Sequence, residues 1–516
     1  MHKKLFTTGT KAILTGIACA ALLAACKKGN DGGSPAEGVA EDTLKYLTYQ
    51  IMQVSYADGG RNAAAGLPTY YWYGKVPQLN PLDSKYPNAD TLLARMKEYA
   101  INPATNQPFD HYSFLDRDGS LTNRLMNGIS SQTFAAGSGG YGLDYGLGKD
   151  QNGKIHIYVL YADKNSPAGQ KGITRGWEVT AVNGTTVFNE SQVTYNMLNE
   201  AFFYSSSIIL GLKKPNGETT TATLNTGSYA INPVLFDTVF TVKDKPVGYF
   251  ALYTYSSVIN SDGAATATKT ALDETFAKFK ARGITNLIVD LRYNGGGATN
   301  TAEYLDNAIA PAAAAGKLMY TSKYNDKLTE HLSTVGLKAS VNFAAATGGL
   351  KLDHVFFITT GNTASSSELT LNNLDPYMDV KLVGEKTYGK PVGFIDFTIS
   401  MYDASHNKKY LADLYAINFE TFNANGKGGY YTGIDVDAPA VDYVNVPWGN
   451  TDYDDNLLKI ISFLETNSFS GQRAAKARIA AANDQLRVAI PGTRTQHGFN
   501  GMVNYEVSKA VSRFNR

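Results

Sequence analysis

From residue 246 onward the sequence switches repeatedly between short apolar runs and helical stretches, and this alternation restricts the possible architectures more than any other feature. The run "VGYFALYTY" is followed by "ALDETFAKFKARG", then by "TNLIVDLRY", "TAEYLDNAIAPAAAA", "HVFFITT", "SSELTLNNLD" and "DVKLVGE". In the first helical stretch Leu272, Phe276 and Phe279 recur at i, i+4 and i+7, which makes one apolar face. Strands and helices taking turns predict crossover units on a mainly parallel sheet. Ligands of such sheets meet the loops at the carboxyl ends of the strands.

The rest of the chain has a different texture. Residues 41–130 contain helical pieces, "DTLKYLTYQIMQVSY" and "ADTLLARMKEYA", joined by turns rich in Pro and Asn. Residues 131–227 show short β runs, "KIHIYVLYA" and "SSSIILGLKKPNGE", with an Asn-Gly hairpin signal in "VNGTT". Residues 228–450 hold the alternating region, and 451–516 carry the amphipathic "DDNLLKIISFLE" and a basic tail read as a surface helical segment. The expectation is a multi-domain α/β protein: a helical N-terminal domain, a small β domain and a larger α/β domain.

Residues 1–25 read as a secretory signal, with basic Lys3, Lys4 and Lys11, an apolar stretch and small residues before Cys26. The ending "LAAC" resembles the bacterial lipobox, which implies a lipid on Cys26. A conventional signal, or a spanning anchor without lipid, is the other reading. The polar segment 26–40, rich in Gly, Ser and Pro, reads as a flexible tether. Without residues 1–25 the 47 basic residues fall to 44, against 46 acidic ones, so no basic patch for nucleic acid is expected. The only cysteines are Cys19 and Cys26, which leaves the domains without a thiol for a disulfide or a zinc site.

Several motifs fail on their chemistry. "GEKTYGK" matches a phosphate loop until Pro391, which stands where Ser or Thr would hold magnesium and which has no N–H. "GSGGYG", 137–142, has no strand before it and no helix after it. The seven histidines are scattered, with no H-E-x-x-H pair, so no metal or nucleotide cofactor is expected. The G-x-S-x-G elbow of many hydrolases is missing too.

"GNTASSSELT", 361–370, allows two readings. Ser365-x-x-Glu368 fits a capping box, in which the serine hydroxyl and the glutamate satisfy amides at a helix start. The same loop leaves a buried parallel strand and enters a helix, where converging N–H groups suit a developing oxyanion. The neighbouring loop, "DLRYNGGGATN", has three consecutive glycines, Gly295 to Gly297, that permit close backbone approach; a merely flexible loop is the alternative. Lys390, in the turn "TYGKPVG", lies at the same sheet edge. A buried lysine loses its proton readily because burial disfavours the charge, whereas an exposed turn lysine stays an ammonium.

Taken together, "TASSSE", the lysine of "TYGK" 25 positions after Ser365, and "DLRYNGGG" resemble the S41 family of Ser-Lys peptidases, the C-terminal processing or tail-specific proteases. The resemblance implies a ClpP/crotonase-like catalytic domain with Ser365 as nucleophile and Lys390 as base. It also implies an oxyanion hole from the backbone of Gly296, Gly297 and Ser366. "SPAGQKGITRGWEVTAVNGTTV" and "GYGLDYGLG" resemble a PDZ domain. Gly142, Leu143 and Gly146 then belong to the strand and loop that take a peptide's terminal carboxylate. "FDHYSFLD" is similar to the end of the family's N-terminal domain and "YYTGIDVDAP" to its return to the sheet, though "GIDVD" lacks the usual proline. Where many members place a glutamine four residues after the lysine, this chain has Phe394.

The implied protein is a lipid-anchored serine endopeptidase of the bacterial cell envelope. It would cleave unstructured or C-terminal protein segments without a metal or other cofactor. Its partners are a protein or peptide tail and, through the lipid, a membrane. A catalytically impaired peptide-binding lipoprotein of the same fold is the alternative.

Overall fold

The structure, a computed structural model, describes residues 35–56, 79–98, 101–102, 107–108, 110–130, 140–150, 152–347, 349–470, 487–488 and 499–505. Two helices open it, α1 (Pro35–Ser55) and α2 (Ala89–Lys97), packed through Leu44, Leu47, Leu92 and Met96. A short strand β1 (Phe114–Asp116) and helix α3 (Ser120–Asn127) follow. α1 begins inside the segment expected to be a tether. Pro35 supplies a preset φ at the first helical position, and the helix continues until its apolar residues are buried.

An antiparallel unit comes next: β2 (Leu143–Lys149), β3 (Ile155–Ala162), β4 (Glu178–Val182), helix α4 (Gln192–Asn199), β5 (Ser207–Lys213) and β6 (Thr219–Asn225). The Asn-Gly signal is real: Asn183 and Gly184 both take positive φ, 47° and 85°, between two mutual hydrogen bonds of Val182 and Thr185.

The alternating region folds as the periodicity predicts, into β7 (Val234–Val242), β8 (Lys245–Leu252), α5 (Ala267–Ala281), β9 (Asn286–Asp290), β10 (Gly296–Ala298), α6 (Thr299–Ile309), β11 (Leu318–Lys323), β12 (Ser340–Asn342), β13 (His354–Thr359), α7 (Ser366–Leu374), β14 (Val380–Gly384), β15 (Val392–Tyr402), β16 (Lys408–Asn423) and β17 (Ala438–Pro439). One sheet has the order β7-β8-β9-β13-β14-β17, parallel except at β7. Its strands read as continuous apolar runs because both faces are covered, one by α5, α6 and α7 and the other by α8 (Asp455–Thr466).

A second, mostly antiparallel sheet is built on the long β15–β16 pair, to which β1 and β11 add. The chain is thus a multi-domain α/β protein with mixed sheets. Past α8, most of the expected helical segment, residues 471–486, 489–498 and 506–516, lies outside the described residues. Its described parts are two strands, β18 (Arg487–Val488) on the edge of β2 and β19 (Gly501–Asn504) between β10 and β15. "GMVN" is short and apolar after a glycine, and Met502 and Val503 are fully buried, which a surface helix would not allow. Residues 1–34, including Cys26, lie outside the described residues; among the described ones no helix is long and apolar enough to cross a membrane.

Candidate active site

Neighbouring parallel strands β9 and β13 end side by side, with Asp290 opposite Ile358. The loops that leave them are sewn together by hydrogen bonds. Thr363 Oγ1 donates to the Leu291 carbonyl (2.9 Å) and Ala364 N–H to the Asn294 carbonyl (3.1 Å). Asn294 is itself locked, its Nδ2 donating to Leu252 O (3.0 Å) and its Oδ1 accepting Gly296 N–H (2.9 Å). The triple glycine is a steric need. Gly296 and Gly297 have φ of 102° and 141°, and a Cβ on Gly297 would meet the Tyr255 carbonyl at 2.4 Å.

The three serines of "TASSSE" then separate into different roles. Ser366 Oγ donates to the Gly297 carbonyl (2.7 Å) and Ser367 Oγ to the Asn294 carbonyl (3.0 Å), so both fasten the glycine loop to α7. Ser365 has a left-handed φ of 60°, uncommon for a residue with a side chain. Its hydroxyl is buried and has no hydrogen-bond partner. The expected capping box is present at the start of α7, with Ser365 N–H donating to Glu368 Oε2 at 2.8 Å.

Glu368 does more than cap. Its Oε2 also accepts Lys390 N–H (2.9 Å), and its Oε1 accepts Gly389 N–H (2.7 Å) and Thr387 Oγ1–H (2.6 Å). The backbone nitrogens of Ser365 and Lys390 therefore share one oxygen, and cannot be farther apart than those two bonds laid end to end. Complete burial pushes the Glu368 carboxyl above its ordinary value, against the four donors that pull it down.

The Lys390 side chain is buried as well, with Nζ 3.9 Å from the ring centre of Phe394, 4.5 Å from Tyr112 and 5.9 Å from Phe499. Nζ donates to the Asn500 carbonyl at 2.6 Å, and among the described residues no carboxylate lies within ion-pair distance of it. Burial holds the amine well below the usual lysine value, opposed by the more distant Asp110 and Glu368 charges. The direct contacts of the amine thus carry no charge, although its wider field does.

Tyr112, Phe499 and Asn500 were not legible as site residues. Asp110 provided a faint signal: its Oδ1 accepts the N–H groups of Tyr112 and Ser113, both at 2.9 Å, an Asx turn that sets Tyr112 against the lysine. Phe499 and Asn500 come from the far end of the chain and had no local signal.

Arg292, at the head of the glycine loop, is fully buried. It meets Asp290, Asp442 and Asp454 at 2.8 Å each. Asp442 also receives Arg175 of the antiparallel unit at 2.6 Å, which ties that unit to the same loop. Opposed guanidinium charges hold the Asp442 carboxyl well below the usual range despite its burial.

Of the residues expected to bind a peptide end, Leu143 and Gly146 lie on β2 and Gly142 at its start, among contacts of another kind. A Cβ on Gly142 would strike Ser166 at 2.1 Å and one on Gly146 would strike Leu160 at 2.6 Å, so local packing explains both glycines. No hydrogen bond or ring contact joins them to the Ser365 cluster among the described residues.

An unpartnered serine hydroxyl on a strained strand-to-helix turn, a buried lysine on the adjoining loop, and glycine and helix-start amides between them supply what acyl transfer requires. Residues 246–426 match the model of peptidase family S41. The chain is similar to the C-terminal processing peptidase, chloroplastic, of Tetradesmus obliquus, 24% identical over 392 residues that cover 72% of this chain and 73% of that protein. In fold it is similar to a crystal structure assigned as an S41 protease from Bacteroides fragilis NCTC 9343, with TM-score 0.57 and 21% identity, covering 82% of this chain and 97% of the other. The segment that matches the S41 model, residues 246–426, contains the glycine loop, Ser365 and Lys390.

Proposed function

We propose that the protein is a serine endopeptidase in which Ser365 is the nucleophile and Lys390 the general base. The observation that carries this reading is the contrast among the three serines: Ser366 and Ser367 spend their hydroxyls on the glycine loop, and Ser365 alone keeps its own unpaired, on the loop next to a buried lysine whose charged form burial disfavours. An unsatisfied buried hydroxyl costs stability, so its retention fits a role in chemistry.

In the proposed reaction the Ser365 hydroxyl attacks the scissile carbonyl carbon while neutral Lys390 takes the hydroxyl proton. The tetrahedral oxyanion is met by the N–H groups of Gly297 and Ser366, since the Gly296 N–H is committed to Asn294. The C–N bond breaks as the lysine ammonium returns the proton to the leaving amine. Water, deprotonated by the same lysine, then releases the acyl group and regenerates the serine. The substrate is an extended, loosely structured protein segment. The antiparallel unit serves as the PDZ-like tail-binding element, and a lipid on Cys26 anchors the enzyme in the cell envelope.

A binding protein of the same fold is the competing reading, motivated by Phe394, whose ring faces the lysine where a side-chain acceptor would orient it. A serine-directed fluorophosphonate separates the two. The enzyme reading expects covalent labelling that falls about a thousandfold in S365A and K390A while both variants still unfold cooperatively. Labelling unchanged in S365A refutes it.

A further inference from the structure

The groups that peptide hydrolysis needs free are occupied by one short stretch of the same chain. β19 runs parallel to β10 and β15, with Gly501 opposite Gly296 and Val503 opposite Phe394. Gly501 N–H donates to the Gly295 carbonyl at 2.9 Å, and in a parallel ladder of that register the Gly297 N–H faces the Gly501 carbonyl. One residue earlier, the Asn500 carbonyl takes the proton-bearing side of the Lys390 amine at 2.6 Å. Ser365 is left with no exposed surface and no bond to the lysine.

The glycine loop fits this segment closely. A Cβ on Gly295 would meet the Asn500 side chain at 2.3 Å and the Phe499 carbonyl at 2.4 Å, and one on Gly296 would meet the Gly501 carbonyl at 2.5 Å. An earlier part of the same tail behaves alike elsewhere: Arg487–Val488 adds an antiparallel strand to β2, opposite Gly148 and Lys149. Two edges able to hold an extended polypeptide by backbone pairing thus both carry the chain's own C-terminal tail.

We propose, building on the peptidase reading, that Phe499–Asn504 is an internal occupant of the substrate slot. The slot, between β10 and β15, takes an extended polypeptide segment by backbone pairing. A tethered segment competes at high effective concentration, so the protein rests closed. Substrate gains the Gly297 amide and the lysine only as the resident strand leaves, and burial of Met502 and Val503 sets how firmly it stays.

A reversible lock tests this. Ala298 and Val503 are register partners on β10 and β19, so A298C/V503C, in the full chain with C19S and C26S, places a disulfide across them. Fluorophosphonate labelling of Ser365 is expected to be at least about tenfold slower in the oxidised than in the reduced protein, the lock having removed the open population. A second variant works in the opposite direction. A side chain on Gly501 would meet the rings of Phe499 (2.2 Å) and Phe394 (2.7 Å), so G501V unseats the strand and is expected to label faster than the parent. A synthetic peptide of residues 499–505 should slow it again. Equal rates in the oxidised and reduced forms, or a folded G501V that labels more slowly and is rescued by the peptide, overturn the proposal and make the strand part of the catalytic framework. Absence of Ser365 labelling in every form, reduced and G501V included, overturns the peptidase reading itself.

Discussion

Glu368 grips Lys390 by its backbone and leaves its amine alone: Oε2 accepts the Lys390 N–H at 2.9 Å together with that of Ser365 at 2.8 Å, while the amine is bound to the Asn500 carbonyl. One buried carboxylate thereby fixes the separation of two loops from different strands without neutralising the lysine's field at close range. A carboxylate on the amine itself would stabilise the ammonium and disable it as a base.

Removing that clamp is expected to cost both stability and acylation. E368A strands four buried donors, so a loss of about 3 kcal/mol in denaturant unfolding is expected, with Ser365 labelling falling in parallel. E368Q keeps one acceptor but turns an N–H₂ toward two of the donors, so it should fall between E368A and the parent. An E368A protein as stable and as reactive as the parent contradicts the clamp.

The glycine loop makes a sharper prediction. G297A pushes a methyl into the Tyr255 carbonyl, 2.4 Å from the ideal Cβ position, at a φ of 141°. The variant is expected to lose about 2 kcal/mol or more of stability and at least about a hundredfold in acylation rate, because the amide that meets the oxyanion moves. Labelling kinetics on a sample shown by circular dichroism to be folded check this.

Asp306, on α6, is buried against α7 and lies outside the reaction. Its Oδ2 accepts Asn373 Nδ2 at 2.7 Å, its Oδ1 has no partner, and burial pushes its carboxyl up to about 7. A carboxyl with a folded value above its unfolded one holds more protons in the folded state between the two. Stability therefore falls as pH rises from the ordinary 3.8 through about 7. D306N should flatten that fall by roughly 1–3 kcal/mol, read from urea midpoints at pH 5 and pH 8.

Phe394 offers a way to move the base. F394E would set a carboxylate where a ring now stands 3.9 Å from Nζ, favouring the ammonium, so the rising limb of acylation should shift to higher pH. F394Q, with no charge, should leave the limb in place. Equal profiles for F394E and the parent would mean that Lys390 does not set the limb.

What the sequence disclosed follows the range of the forces involved. The parallel sheet was legible because burial on both faces writes continuous apolar runs such as "HVFFITT", and the helix face of Leu272 and Phe279 because amphipathicity is local. The Ser365 and glycine loops were legible as strand-to-helix junctions.

The capping box was legible as well, from Ser365-x-x-Glu368 ahead of a helical run. The left-handed φ of Ser365 was not legible, since no residue pattern encodes it. The Lys390 environment was illegible for another reason. Its acceptor, Asn500, lies 110 residues downstream, just before a strand whose four residues resemble any short apolar run. The Arg175–Asp442–Arg292 network likewise joins distant segments, and an isolated arginine in a turn carries no sign of burial.

The measurement that bears most directly on the account is the pH dependence of covalent modification at Ser365, followed by mass spectrometry of the modified peptide in single-turnover conditions. A neutral, buried Lys390 acting as base predicts modification confined to Ser365, with a rising limb well below the 10.5 of an ordinary lysine and no limb in K390A. A limb at the ordinary lysine value, or a K390A profile that matches the parent, contradicts it.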